Sequence, residues 1–152
     1  MTEDSVLKPG NRKRDTWLGI MASVAIAWYF FNMTVFIMTI VMSDSAILGL
    51  YEAEQITYLM ETPFWAKMAN AVSVLAGLIG SAYLLLRRNS AYYWFMLCLV
   101  NLLILLLDAA LRGGFQIMGP SLLGVSAASF IVGIYLFWAA YLAHDGGELN
   151  EE

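Results

Sequence analysis

Four long stretches of this 152-residue chain carry no Lys, Arg, Asp or Glu: Thr16 to Ser43, Met68 to Leu86, Asn89 to Leu107, and Gly113 to His144. About 20 apolar residues, rising roughly 1.5 Å each as a helix, cross the hydrocarbon of a bilayer. The pattern predicts an all-α integral membrane protein, a four-transmembrane-helix bundle with spans near 17–42, 66–86, 91–111 and 121–143. Composition agrees. With 61% hydrophobic and 13% charged residues, too few polar side chains remain to cover a soluble domain of this size.

The chain divides into a polar N-terminus (1–15), the transmembrane domain (16–144) and an acidic tail (145–152). Arg12, Lys13 and Arg14 precede the first span as they would in a signal peptide. The apolar stretch is too long for a cleaved segment, so the first span is read as a retained anchor. Orientation follows from the basic residues near the span ends. Lys8, Arg12, Lys13, Arg14, Arg87 and Arg88 fall on one side, against Lys67 and Arg112 on the other. The imbalance predicts both termini in the cytoplasm. Trp17, Trp65, Trp94 and Trp138 lie near span ends, where amphipathic rings favour the headgroup region.

In the loop between the first two spans, Ile56, Leu59 and Met60 fall on one side of a helical wheel and Glu54 and Glu61 on the other. This predicts a short helix lying on the membrane surface, stopped by Pro63. Glu52 falls on the apolar side and breaks the pattern.

Within the spans two kinds of pattern stand out. The second span carries Ala69, Ser73, Gly77 and Ser81 at steps of four, with Gly80 alongside. Small residues so spaced let a neighbouring backbone approach closely, which is what holds helices together in lipid. The neighbour is either another span of the bundle or a second copy. Ser126, Ser129, Gly133 and Ala140 repeat the device in the fourth span, and Gly19, Ser23 and Ala27 in the first. The third span has a polar seam of Trp94, Asn101, Asp108 and Arg112 on an otherwise apolar helix, and the first a similar seam in Trp28, Asn32, Thr39 and Ser43. Asn32 and Asn101 share a depth near mid-membrane, so each is expected to find its partner in the other.

Asp108 is the only acid inside or bordering a span, with Arg112 one turn further and Lys67 and Asn70 at the same depth. Two roles fit it. One is a salt bridge at the boundary that fixes helix register, cheap to satisfy with an i,i+4 arginine; the other is a proton- or ion-sensitive site. His144 is read as a solvated helix end. Arg87, Arg88, Asn89 and Ser90 are read as a hairpin turn facing anionic lipid.

Several chemistries are disfavoured by counting. A single cysteine, Cys98, makes neither an internal disulfide nor a CxxC pair, and a single histidine cannot supply two axial haem ligands. Neither a glycine-rich phosphate loop nor a nucleophile elbow is present. No catalytic, metal or cofactor-binding residue is expected, and no nucleic acid partner. The expected partners are the lipid bilayer and a second copy or another membrane protein.

From about residue 20 to residue 143 the order of features resembles a family of small bacterial four-span membrane proteins, some of which carry the label sugar transporter from automatic naming. The resemblance rests on Tyr51-Glu52-Ala53-Glu54-Gln55 running into Glu61-Thr62-Pro63-Phe64-Trp65-Ala66. It continues through Gly77-Leu78-Ile79-Gly80-Ser81, Leu84-Leu85-Leu86-Arg87-Arg88 with Ala91 following, and Leu136-Phe137-Trp138. It implies packing and topology and brings no catalytic residues with it. The polar N-terminus is longer here than in that family.

Three functions compete. The first is a non-enzymatic membrane protein acting by lateral association with itself or a larger complex. The alternative is a small oligomeric transporter of a polar solute such as a sugar, using Asn32, Asn101 and Trp28. A membrane enzyme comes last, with Asp108, Lys67 and Arg112 holding an anionic lipid headgroup.

Overall fold

Leu18, Ala22, Ala25 and Tyr29 recur at steps of four and three, which puts them on one face of a helix; all four are buried. That face belongs to α1 (Pro9–Val41) in a computed structural model describing residues 9–41 and 52–145, the side chains of 9–15 and 121–123 excepted. The basic N-terminal side chains, Ser43, Tyr51 and the tail acids Glu148, Glu151 and Glu152 lie outside the described residues.

The remaining elements are α2 (Ala53–Met60), α3 (Phe64–Leu85), α4 (Ala91–Leu111), a single turn α5 (Gly114–Ile117) and α6 (Gly119–Asp145). Four of these, over Thr16–Val41, Phe64–Leu85, Ala91–Leu111 and Gly124–Asp145, are long and apolar enough to cross a membrane. They are the four spans expected, and the fold is an all-α four-helix bundle.

Helix α3 is central, packing closely against α4 on one side and α1 on the other; α6 closes against α4. Its buried residues are mostly small: Ala66, Ala69, Ser73, Val74, Ala76, Gly77, Gly80, Ser81 and Leu84. A helix pressed between two neighbours needs small side chains on both flanks, because contact between backbones substitutes for the hydrophobic effect in lipid. Tyr29 of α1 fills the space left by Gly77: a Cβ there would lie 2.2 Å from the Tyr29 ring. Gly80 in turn faces Trp94 and Phe95 of α4, at 3.1 and 3.2 Å from an added Cβ. Gly133 and Ser129 of α6 are also buried, and Gly133 lies against Leu99 of α4.

The first span does not use its small-residue stripe. Ser23 and Ala27 are exposed, and nothing lies within 4 Å of a Cβ added at Gly19. Small side chains permit close approach without dictating it, and the larger Leu18 and Tyr29 give more contact on the face actually used.

The turn from α3 to α4 explains its own sequence. Arg88 N–H bonds to Tyr83 O at 2.8 Å and Arg87 N–H to Leu84 O at 3.2 Å, the two bonds of a Schellman motif. Arg87 therefore takes the left-handed conformation (φ 56°) usually given to glycine. At the other end Gly113 (φ 68°) stops α4 in the same way.

Candidate functional site

The polar seam of α4 ends in a cluster where α4, α2 and α5 meet. Asp108 is buried, and Arg112 donates from Nη1 to its Oδ2 at 3.4 Å. The same guanidinium donates from Nη2 to Tyr58 O at 2.8 Å and lies with Cζ 4.3 Å from the centre of the Tyr58 ring. A carbonyl in the last turn of a helix has no amide of its own to accept from. Arg112 supplies that donor for α2, with Thr62 Oγ1 bonding to the same oxygen at 3.0 Å. The cation also sits at the negative end of the helix dipole.

Gln55 makes the second tie. Its Oε1 accepts from Glu52 N–H at 3.2 Å, and its Nε2 donates to Ile117 O at 3.3 Å. One amide thus starts α2 and fastens it to α5. Gly114 makes room for the tie, since a Cβ there would lie 2.3 Å from the Tyr58 hydroxyl. Glu52 is the N-cap of α2 and so lies outside the helix; its misfit on the helical wheel disappears. Ile56 and Leu59 are half-buried and Met60 is exposed. Burial raises the Tyr58 phenol above its ordinary value, with the Arg112 guanidinium opposing and Asp108 adding to the rise.

Beside these ties an open depression of about 470 Å³ is lined by Glu54, Thr57, Tyr58, Glu61, Arg112 and Ile117. Among the described residues neither the Glu54 nor the Glu61 carboxylate has a hydrogen bond or ion pair. Lys67, expected beside Asp108, is exposed, and among the described residues Asp108 is paired with Arg112 alone. Asn70 is half-buried on α3.

The two asparagines do not meet. Asn32 Nδ2 donates to Trp28 O at 2.8 Å and Asn101 Nδ2 to Leu97 O at 2.9 Å, each one turn back on its own helix. The bond across the bundle is made elsewhere. Tyr29 Oη and Ser73 Oγ each lie 3.5 Å from Cys98 Sγ, joining α1, α3 and α4 in the core. Ala69, Ser73, Gly77, Gly80 and Ser81 are all buried, and Ser81 Oγ donates to Gly77 O at 2.7 Å.

His144 is no free helix end. Its Nδ1 lies 2.6 Å from Asn89 Oδ1, and its ring sits 4.9 Å from that of Tyr92. The end of α6 is thereby tied to the α3–α4 turn. Between α1 and α6 runs an apolar groove of about 210 Å³ over Ala25 and Leu136. Trp28 Nε1 is buried without a hydrogen-bond partner among the described residues. No group of three metal-ligating side chains occurs among the described residues.

Compared with known proteins, the chain matches no family model, no curated protein and no solved structure.

Proposed function

We propose that this chain is a non-enzymatic protein of a bacterial inner membrane, both termini cytoplasmic, that acts by helix packing with itself or a larger membrane complex. We place it in the family of small four-span proteins that its sequence resembles. The observation that carries the reading is the state of α1. Its buried face ends at Tyr29, and the next three turns expose Phe30, Phe31, Val35, Ile37, Met38, Ile40 and Val41. The hydroxyls of that segment are already bonded within it, Thr34 Oγ1 to Phe30 O and Thr39 Oγ1 to Val35 O. This leaves an apolar helix surface with no polar demand of its own, one that lipid satisfies and that a neighbouring helix can also pack against by van der Waals contact. The transporter alternative needs polar groups turned toward a shared path; Asn32 and Asn101 spend an amide N–H on their own backbones instead.

Cysteine cross-linking in native membranes tests the reading. In a Cys98→Ala background, Phe31→Cys or Ile37→Cys is expected to trap a second copy or a partner chain, whereas Leu103→Cys on α4 is not. No trapped product at either α1 position, together with solute uptake by the protein in liposomes, would move the assignment to the transporter. Reporter fusions after Gly49 and after Glu152 check the topology, the first expected outside and the second inside.

A further inference from the structure

We propose that the depression beside Arg112 is a binding site for the headgroup of a zwitterionic aminophospholipid, the phosphate facing Arg112 and the ammonium facing Glu54 or Glu61. The argument begins with charge. The lining holds one guanidinium and two carboxylates, with the buried Asp108 directly behind Arg112. An anionic headgroup would meet an excess of negative charge, and a simple cation would meet Arg112. A zwitterion places both of its charges favourably.

The donors and acceptors are also in supply. A guanidinium has five N–H groups, and the two bonds of Arg112 to Asp108 and Tyr58 O leave others for a phosphate. Glu54 and Glu61, with carboxylates untied among the described residues, stand seven residues apart, roughly 10 Å along a helix axis. They are therefore two separate stations for an ammonium, flanking the guanidinium. The depression, about 470 Å³, falls within the roughly 300–1,000 Å³ of sites that take small molecules.

A lipid, as opposed to a free solute, follows from the surroundings. Leu111, next to Arg112, is 79% exposed, and Met60, Phe64 and Trp65 are exposed where α2 turns into α3. Aromatic and apolar side chains at a span end mark the headgroup level. A headgroup in the depression would leave its acyl chains running down the surface below Leu111. The inference does not depend on which partner α1 meets.

The test is native mass spectrometry of the full chain in micelles carrying equal phosphatidylethanolamine, phosphatidylglycerol and phosphatidylcholine. Phosphatidylethanolamine adducts are expected to exceed phosphatidylglycerol roughly threefold, the advantage one or two exposed ion pairs give. Phosphatidylcholine, whose nitrogen has no N–H to donate, is expected to fall below phosphatidylethanolamine. Glu54→Gln/Glu61→Gln should erase the preference without changing the melting temperature; Glu61→Gln alone, should the double variant melt early, should weaken it. A parent that prefers phosphatidylglycerol, or an E54Q/E61Q variant that keeps the preference, would overturn the proposal. So would free phosphoethanolamine that displaces the lipid at equimolar concentration, because the site would then prefer a soluble ligand.

Discussion

Arg112 holds Tyr58 twice, through a 2.8 Å hydrogen bond to its carbonyl oxygen and by laying its guanidinium 4.3 Å from the ring centre. Both contacts use the flat, forked shape of the side chain. Arg112→Lys keeps the charge and loses that shape, so α2 should loosen by about 1–2 kcal/mol, less than the roughly 2–4 kcal/mol of one charged hydrogen bond plus a half-exposed cation–π contact, because an ammonium keeps part of each. Asp108→Asn should cost less, about 1 kcal/mol or under, because the 3.4 Å bond is long and an Asn oxygen still accepts it. Hydrogen exchange of residues 53–60 measures both. Equal protection in parent and R112K would remove Arg112 as the anchor of α2.

The Tyr58 phenol gives that anchor a pH limit. Its pKa is raised above the ordinary 10.0 in the folded protein, chiefly by burial. The neutral form is thus the one that docking favours. Its contribution is fully present below the unfolded value and disappears as pH rises through the folded one. Exchange protection of α2 should fall in alkali, as the pH climbs above about 10, before the spans unfold. Tyr58→Phe should abolish this step; a step that survives in Y58F belongs to another group.

The spans were legible because charge is excluded from lipid whatever the packing, so four uncharged runs had one reading. Which face of each span meets a neighbour was legible only in part. In α3 the small residues Ala69, Ser73, Gly77 and Ser81 are buried, but in α1 the comparable Gly19, Ser23 and Ala27 face outward. Spacing alone carries no information about the partner surface. The expected Asn32–Asn101 contact failed for a local reason: an asparagine in a helix can bond to the carbonyl one turn back, and a helical wheel does not display that option. The Gln55 tie had half a signal: a Gln three residues past an N-cap belongs to a helix-start pattern, but Glu52 stands where Ser, Thr, Asp or Asn is usual. The grip of Arg112 on Tyr58 spans 54 residues of sequence and had none.

At the opposite end of the bundle the Asn89–His144 bond should be measurable as a coupling. The 2.6 Å contact joins a turn to the last residues of α6, and a typical hydrogen bond contributes about 1 kcal/mol net. Asn89→Ala and His144→Ala should each lower the melting temperature in detergent. The double variant should then fall short of their sum by about 1 kcal/mol. Strict additivity would mean that the contact adds nothing to stability.

Four glycines separate close packing from mere helix propensity, because alanine gains up to about 1 kcal/mol over glycine in an unobstructed helix. Gly19 has nothing within 4 Å of an added Cβ, so Gly19→Ala should be neutral or stabilising. At Gly133 the obstacle is the tip of Leu99, 2.9 Å away and free to rotate, so Gly133→Ala should cost little. At Gly80 the neighbours are the Trp94 Cβ at 3.1 Å and the Phe95 ring at 3.2 Å; Trp94 Cβ moves only with its helix, and a loss is expected. Gly77→Ala should be the most damaging, by about 1–3 kcal/mol, since the Cβ would enter the Tyr29 ring at 2.2 Å and that buried ring has nowhere to swing. The melting order in detergent should therefore run Gly19→Ala highest, then Gly133→Ala, Gly80→Ala and Gly77→Ala. Pairing Gly77→Ala with Tyr29→Leu should recover part of the loss, because the smaller side chain clears the new methyl. Should G77A melt like the parent, α1 would have to pack on α3 through some other face, and the partner surface assigned to its outer half would need redrawing.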